Sequence, residues 1–296
     1  MRARAPASAA NLGPGFDTLA VALELYIEVE VESAPRLTVR AEGEGADLAG
    51  DASHLAARVA MEVLGHDHFA IAVRSSIPLG RGLGSSAALA AATAAAAGAK
   101  DPLAVAAASD GHPENAAASV RGGLVAATTV AGAPVVAPLA LDPELAFVVL
   151  VPTRTVGTSQ ARQALPATVS HRDATFNLGR MGLLVSGLAN RRYLVRAATE
   201  DRLHQSARSP FFPEASQLLG RLVEAGALAA SWSGAGPSLI AFCDAAVAPR
   251  VRDVGELLLK ELSVPGRALL LGPDRRGLLV ARGESPPGGP DSRRWP

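Results

Sequence analysis

Pro78-Leu79-Gly80-Arg81-Gly82-Leu83-Gly84-Ser85-Ser86-Ala87-Ala88 is the segment on which the reading of this chain turns. Glycines at alternate positions let backbone N–H groups converge without side-chain obstruction. The loop runs directly into an alanine-rich stretch that reads as a helix to about Ala97. A helix N-terminus offers N–H donors without intrahelical partners and the positive end of the helix dipole. The combination is an anion site, and phosphate is its usual occupant. Ser85 or Ser86 is placed to cap the helix or to contact a phosphate-bound metal. A flexible turn with a serine cap is the plain alternative, and the loop alone does not identify a nucleotide.

Composition narrows the choice. Of 28 basic residues only Lys100 and Lys260 are lysines, leaving 26 arginines. Neither lysine lies in a Walker-type loop or a kinase-type Val-Ala-x-Lys strand, so both of those nucleotide sites are excluded. The glycine spacing also differs from G-x-G-x-x-G, and no acidic residue ends a second strand where a dinucleotide fold needs one. The 28 acidic residues bring the formal net charge to zero, and with no basic stripe nucleic acid is not an expected partner. A single cysteine, Cys243, rules out an intrachain disulfide framework and a cysteine-rich metal site, which points to a reducing cytoplasm. The N-terminus has no apolar run behind its arginines, so no signal peptide is expected. The run Ala87–Ala97 is about half the ~20 residues a membrane span needs, so a soluble protein without a membrane partner is expected.

Around the loop, hydrophobic periodicity lays out the elements. Tyr26–Glu32 (YIEVEVE) alternates as a strand with one wet face, and 36–42 repeats the pattern, suggesting an antiparallel pair. A helix is expected over 51–64 and a short strand over 69–74. Helix 103–109 and strands 122–130 and 135–139 follow. A continuous apolar strand occupies 145–151. Helices are expected at 158–165, 173–189, 193–205, 213–225 and 248–261, with strands at 227–232, 238–243 and 267–271. Strands and helices mix in both halves, which indicates an α+β protein rather than a doubly wound sheet. A boundary near Pro143 gives units of 1–143 and 144–282, and 283–296, rich in proline, glycine and charge, reads as a disordered tail. His66-Asp67-His68 has no further ligand nearby and reads as a polar loop rather than a metal site.

Two more islands stand out. Pro6-Ala7-Ser8-Ala9-Ala10-Asn11-Leu12-Gly13-Pro14-Gly15-Phe16-Asp17 is tight and non-periodic, and its Asn and Asp could be simple Asx-turn formers. Ser231-Trp232-Ser233-Gly234-Ala235-Gly236-Pro237-Ser238 could be a plain hairpin turn between two apolar strands. The three islands, in this order, resemble the three motifs of the GHMP family of small-molecule kinases. The segments Gly111–Asn115, Gly122–Ala126, Phe176–Arg180 and Asp201–Gln205 are similar to those members that phosphorylate the side-chain hydroxyl of L-homoserine. The resemblance covers roughly residues 2 to 243.

That resemblance implies a fold of two α+β domains, an N-terminal ATP-binding domain and a ferredoxin-like C-terminal domain, with the active site between them. It implies ATP on the loop Pro78, Leu79, Gly80, Arg81, Gly82, Leu83, Gly84, Ser85 and Ser86, with Ser85 near the β-phosphate and Mg²⁺. L-Homoserine is zwitterionic. By resemblance Asp17 takes its ammonium, Arg162 and Arg208 its carboxylate, and Asn11 lies near the reacting hydroxyl. An arginine fork fits a carboxylate bidentately. Thr158 and Arg162, four residues apart, share one helix face. His112 and Asn115 match positions next to substrate. Asn115 falls where other members carry an aspartate base. An amide cannot accept a proton, so catalysis would rest on positioning and charge stabilisation. Asp110 is the expected Mg²⁺ carboxylate, with Glu114 the alternative. Asp-Gly-His-Pro-Glu-Asn departs here from the family's Glu-Gly-His-Pro-Asp-Asn, and Ser206-Ala207-Arg208 lacks the aromatic of the family's Pro-Tyr-Arg. The family further implies a homodimer.

Overall fold

The computed structural model describes residues 1–281; residues 282–296, including the tail read as disordered, and the side chain of Asp110 lie outside the described residues. Two long strands, β1 (Arg2–Ala10) and β2 (Leu19–Ser33), run antiparallel and form the spine of a first sheet. In β1, Ala3, Ala5, Ala7 and Ala9 are fully buried while Arg2 and Arg4 are half-buried. That is period two written in alanine and arginine, and alanine's weak strand preference hides it in the sequence. The second half of β2 pairs with β4 (Phe69–Ser75), and its first residues pair with β5 (Leu124–Val130), which continues into β6 (Ala133–Leu139).

The expected antiparallel pair of 26–32 with 36–42 does not form. The second segment is β3 (Thr38–Gly43), which pairs in parallel with β4, and β4 lies between β3 and β2. Helix α1 (Leu55–Leu64) is the crossover that a parallel neighbour requires. His66–His68 is the turn after α1, and no group of three or more His, Cys, Asp or Glu placed to hold a metal occurs among the described residues.

Helix α2 (Ser85–Ala96) runs through the middle of the first unit. Ser85 and every residue from Ala87 to Ala96 are buried. A helix apolar all round is a buried helix. Its alanines let it pack closely among β1, β2, α1, α3 (Pro102–Asp110) and α4 (Glu114–Arg121). The sequence reading has no helix at α4, because Gly111–Asn115 reads there as a motif rather than as the head of a helix.

The second sheet is β7 (Leu145–Pro152), β8 (Ala229–Trp232), β9 (Leu239–Asp244) and β10 (Gly266–Leu271), ordered β10-β7-β9-β8 and antiparallel throughout. Helices α8 (Ala215–Glu224) and α9 (Ala248–Glu261) cover one face. Strand, helix, two strands, helix, strand is the ferredoxin-like arrangement. Val148, Leu150, Leu239 and Ala241 face these helices, whereas Phe147, Val149, Ile240 and Phe242 join the core of the first unit. Both faces of β7 are therefore dry, which explains its unbroken apolar run.

Along the chain between β7 and β8, and before α8, come α5 (Thr158–Gln163), α6 (His171–Ala189) and α7 (Gln205–Arg208). The helix expected over 193–205 is replaced by 3-10 turns at Arg191–Tyr193 and Arg196–Thr199 and an irregular bend. The cause is Asp201, whose carboxylate draws in the backbone N–H groups of Leu203, His204 and Gln205 and so starts a new short helix. The sequence reading also puts 279–281 in the second unit. Instead β11 (Leu279–Ala281) pairs with Arg2–Arg4 at the edge of the first sheet. Among the described residues no helix is long and apolar enough to cross a membrane.

Candidate active site

The three islands meet at one place. Ser8 N–H donates to Leu83 O (3.1 Å), Ser233 Oγ to Gly82 O (2.7 Å), and Gly234 N–H to Ala10 O (2.8 Å). The loop between them needs its glycines. Gly80, Gly82 and Gly84 have φ of 64°, 72° and 63°. A Cβ on Gly82 would overlap Ser233 O, and one on Gly84 would overlap Ser8 Oγ and lie 3.0 Å from Asn115 Oδ1.

Gly84 is the N-cap of α2, and no side chain caps that end. Neither Ser85 nor Ser86 takes the capping role the sequence allowed. The first helical bond is Ala88 N–H to Gly84 O, so the N–H groups of Ser85, Ser86 and Ala87 have no intrahelical acceptor. No acidic side chain occupies the first turn. These donors and the helix dipole are open to an anion.

They open into a cavity of about 70 Å³ lined by Asn11, Pro78, Gly80–Ser86, His112, Asn115, Val156, Thr158, Arg162, Arg208, Gly234 and Ala235. Of the expected loop residues only Leu79 is absent from this lining. It lines a neighbouring cavity of about 380 Å³ with His54, Leu55 and Leu89, and the two cavities share Gly80, Ser85 and Ser86. The sequence reading missed that second cavity, whose lining is scattered over the loop before α1, the start of α1, the glycine loop and the start of α2. It also gave no role to Ser8 or Gly234, although both lie in the islands it singled out.

Asn11 and Asp17 have φ of 57° and 49°, and Asn11 Oδ1 accepts from Asp17 N–H at 2.8 Å. The bond spans six residues, so it closes the whole Asn11–Asp17 loop and is not the two-residue Asx turn that the plain reading allowed. That loop aims the Asp17 carboxylate at Arg162, which meets it bidentately at 2.8 and 2.9 Å. The hydrogen bonds to Asp17 hold the Arg162 guanidinium above its ordinary pKa. The two charges expected at opposite ends of a zwitterion thus satisfy each other.

Arg208 is only 2% exposed. Burial pushes its pKa down to about 10, which leaves it a cation at neutral pH. Its Nη1 donates to Gly234 O and to His204 Nδ1, both at 3.0 Å. Phe16 lies beneath both arginines, with ring centroids 5.4 Å from Arg208 and 5.6 Å from Arg162. A cation over a ring face is held in place without a competing anion.

Asn115 is nearly buried at the start of α4, and its Oδ1 accepts from Ser8 Oγ at 2.9 Å. The neighbouring Glu114 is fully buried, and neither carboxylate oxygen accepts a hydrogen bond. His112 Nδ1 lies 3.1 Å from Glu114 Oε1, an ion-pair contact without hydrogen-bond alignment. The expected metal carboxylate, Asp110, has its side chain outside the described residues.

Known proteins share this architecture. The family description "GHMP kinases N terminal domain" fits residues 51–123, and "GHMP kinases C terminal" fits residues 184–256. The chain is 43% identical over 270 residues to a homoserine kinase of Rhodococcus opacus, covering 81% of this chain and 86% of that one. It is 40% identical over 280 residues to a homoserine kinase of Thermus thermophilus, covering 90% and 94%. The crystal structure of a homoserine kinase from Cytophaga hutchinsonii superposes with a TM-score of 0.83 at 26% identity, covering 95% of this chain and 97% of that one.

Proposed function

The chain belongs to the homoserine kinases of the GHMP kinase family, and from that premise we propose that it transfers the γ-phosphoryl group of ATP to the side-chain hydroxyl of L-homoserine. The products are ADP and O-phospho-L-homoserine, an intermediate of threonine biosynthesis. One observation carries the reading: an uncapped helix N-terminus, Arg162 and Arg208 line one small cavity, with Asp17 held against Arg162. The first group suits a polyphosphate and the others suit an α-amino acid. A neutral polyol would have no use for two arginines and an aspartate.

In this reading the triphosphate lies along Gly80–Ser86, where backbone N–H groups and the helix dipole supply the neutralisation that lysine supplies in Walker sites. The adjoining cavity with Leu55, Leu79 and Leu89 suits the nucleoside. Substrate ammonium replaces Arg162 at Asp17, and substrate carboxylate takes the freed Arg162 and Arg208. A zwitterion can make this exchange without stranding a charge, whereas a simple amine or acid would leave Arg162 or Asp17 unpaired. Asn11, His112, Asn115 and Thr158 surround the remaining space, where the hydroxyl belongs. Asn115 is no base, and Ser8 already fixes its Oδ1. The residues act by holding hydroxyl and phosphate in line.

Mg²⁺ belongs to the same proposal. The Ser85 hydroxyl and a carboxylate from the Asp110–Glu114 turn would hold it, a role that the unsatisfied, buried Glu114 oxygens support. The ion would neutralise phosphate charge. The division of the chain at 143/144, a cytoplasmic location and a homodimer complete the reading.

The test is a coupled ADP-release assay. Turnover with L-homoserine, and none with sugars, cyclitols or isoprenoid alcohols, is the expected result. Turnover only with one of those alcohols, or ATP binding with no turnover at all, would overturn it.

A further inference from the structure

The Phe176–Arg180 and Asp201–Gln205 segments line no part of the 70 Å³ cavity, yet they meet directly behind it. Asn177 Nδ2 donates to Asp201 Oδ1 (2.7 Å), while Asn177 Oδ1 accepts from Arg202 N–H (2.9 Å). The Asp201 carboxylate also accepts from the N–H groups of Leu203 (3.0 Å), His204 (2.8 Å) and Gln205 (2.8 Å). A buried carboxylate satisfied this fully fixes the backbone that carries His204.

His204 is fully buried. Its ring links the distant Asn11–Asp17 island to Arg208, four residues on in its own segment. Nε2 lies 2.7 Å from Gly13 O in the Asn11–Asp17 turn, and Nδ1 lies 3.0 Å from Arg208 Nη1. The ring stacks on Phe16, with centroids 5.1 Å apart and planes at 25°. A guanidinium can only donate, so Nδ1 must accept and Nε2 must carry the proton that goes to Gly13 O. The imidazolium would set a second donor against Arg208. Only one tautomer of the neutral ring satisfies both neighbours. Burial pushes the ring's pKa down to about 4, in the same direction, against the pull of the Asp201 carboxylate.

We infer that neutral His204 is a positioning residue for substrate selection: it holds Arg208 at a fixed distance from the turn bearing Asp17, and so sets the spacing at which the ends of an α-amino acid are read. The inference rests on the proposed carboxylate role of Arg208. Gly234 O fixes the other side of Nη1, so removing the ring lets the fork swing about one remaining bond. The substrate's carboxylate then loses its aligned partner, and the phosphate loop is untouched.

The experiment compares wild type, His204→Phe and His204→Asn in the ADP-release assay. Phenylalanine keeps the stack and removes both hydrogen bonds, whereas asparagine keeps an acceptor for Arg208. A hydrogen bond to a charged group is worth about 1.5–3 kcal/mol, or roughly ten- to a hundredfold. His204→Phe is expected to raise KM for homoserine about tenfold or more, with KM for ATP and kcat within about twofold. Its preference for homoserine over the amino alcohol lacking only the carboxylate falls by the same factor, and His204→Asn recovers part of both. An equal rise in both KM values, a fall in kcat alone, or an asparagine variant no better than phenylalanine overturns the inference. If the phenylalanine variant does not fold, His204→Gln takes its place. Its longer side chain reaches the Nε2 position with a donor for Gly13 O but leaves no acceptor at the Nδ1 position facing Arg208, and a KM for homoserine at or below that of His204→Asn is then the contrary result. A wild-type enzyme inactive on homoserine removes the functional reading, and the inference with it. Wild-type activity on homoserine, with variants whose KM values for homoserine and ATP change alike, removes the inference alone.

Discussion

Gly80 and Gly84 have almost the same left-handed φ, 64° and 63°, in very different surroundings. Replacing each with alanine separates the cost of that conformation from the cost of the close approach. A non-glycine residue in the left-handed region costs about 1–2 kcal/mol, offset by up to about 1 kcal/mol from a stiffer unfolded chain. At Gly80 that is nearly the whole effect, because a Cβ would have its nearest neighbours, Thr155 side-chain atoms, at 3.5 Å, an ordinary contact. At Gly84 the new methyl overlaps Ser8 Oγ, and Ser8 is fully buried with no room to retreat. The Ser8–Asn115 hydrogen bond breaks, at about 1–3 kcal/mol for the stranded acceptor, and overpacking adds a similar amount. Gly80→Ala should therefore cost about 1 kcal/mol and Gly84→Ala about 4 kcal/mol. In thermal unfolding these become drops of roughly 2 °C and 7 °C, and urea midpoints give an independent reading. Adding Ser8→Ala to Gly84→Ala removes the overlapping oxygen, so the double mutant should be more stable than the sum of the single losses predicts, by about 2 kcal/mol. Equal losses at Gly80 and Gly84, or a Gly84→Ala protein within about 1 kcal/mol of wild type, would refute the close-packing argument.

Arg208→Ala should raise KM for homoserine by roughly a hundredfold while leaving ATP affinity nearly intact, because it removes a charged donor and strands His204 Nδ1 and Gly234 O; equal loss of both affinities in steady-state kinetics would count against the carboxylate role. The folded-state pKa of His204 is depressed from 6.5 to about 4 by burial. The unfolded chain therefore binds the extra proton between those values, and stability, full above pH 6.5, declines as pH falls towards 4. Urea midpoints at pH 7 and pH 5 should show this decline in wild type and a smaller one in His204→Phe; parallel declines would refute it. Burial pushes the Cys243 thiol up to about 12, and the residue is fully enclosed. A thiol reagent should thus find no reactive group in the native protein and one after denaturation, and fast native labelling would contradict the packing of β9.

Much of this was legible in the residues. The glycine loop, the helix behind it, the alternation of Tyr26–Glu32 and the apolar run Leu145–Val151 depend on neighbours within a few positions, and the α+β class followed from their order. The loop's glycines name themselves, because a left-handed backbone leaves little other choice. Strand pairing was less legible. Nothing local says that β4 rather than β3 lies beside β2, since any strand with one apolar face fits either neighbour. β1 was hidden for another reason: alanine fills positions where the packing is too close for anything larger, and it carries almost no periodic signal, while α4 was hidden because its head reads as a motif.

The sequence by itself determined that a glycine-rich loop leads into the helix that is α2, that no lysine lies in that loop, and which family's motifs it belongs to. Only the tertiary structure decided that Asp17 and Arg162 are paired, that Ser8 locks Asn115, and that His204 ties Arg208 to the Gly13 carbonyl. These are contacts between residues up to 191 positions apart. Hydrogen bonds at 3 Å require a folded chain to bring their partners together, and no periodicity or spacing in a single sequence encodes which distant donor meets which acceptor.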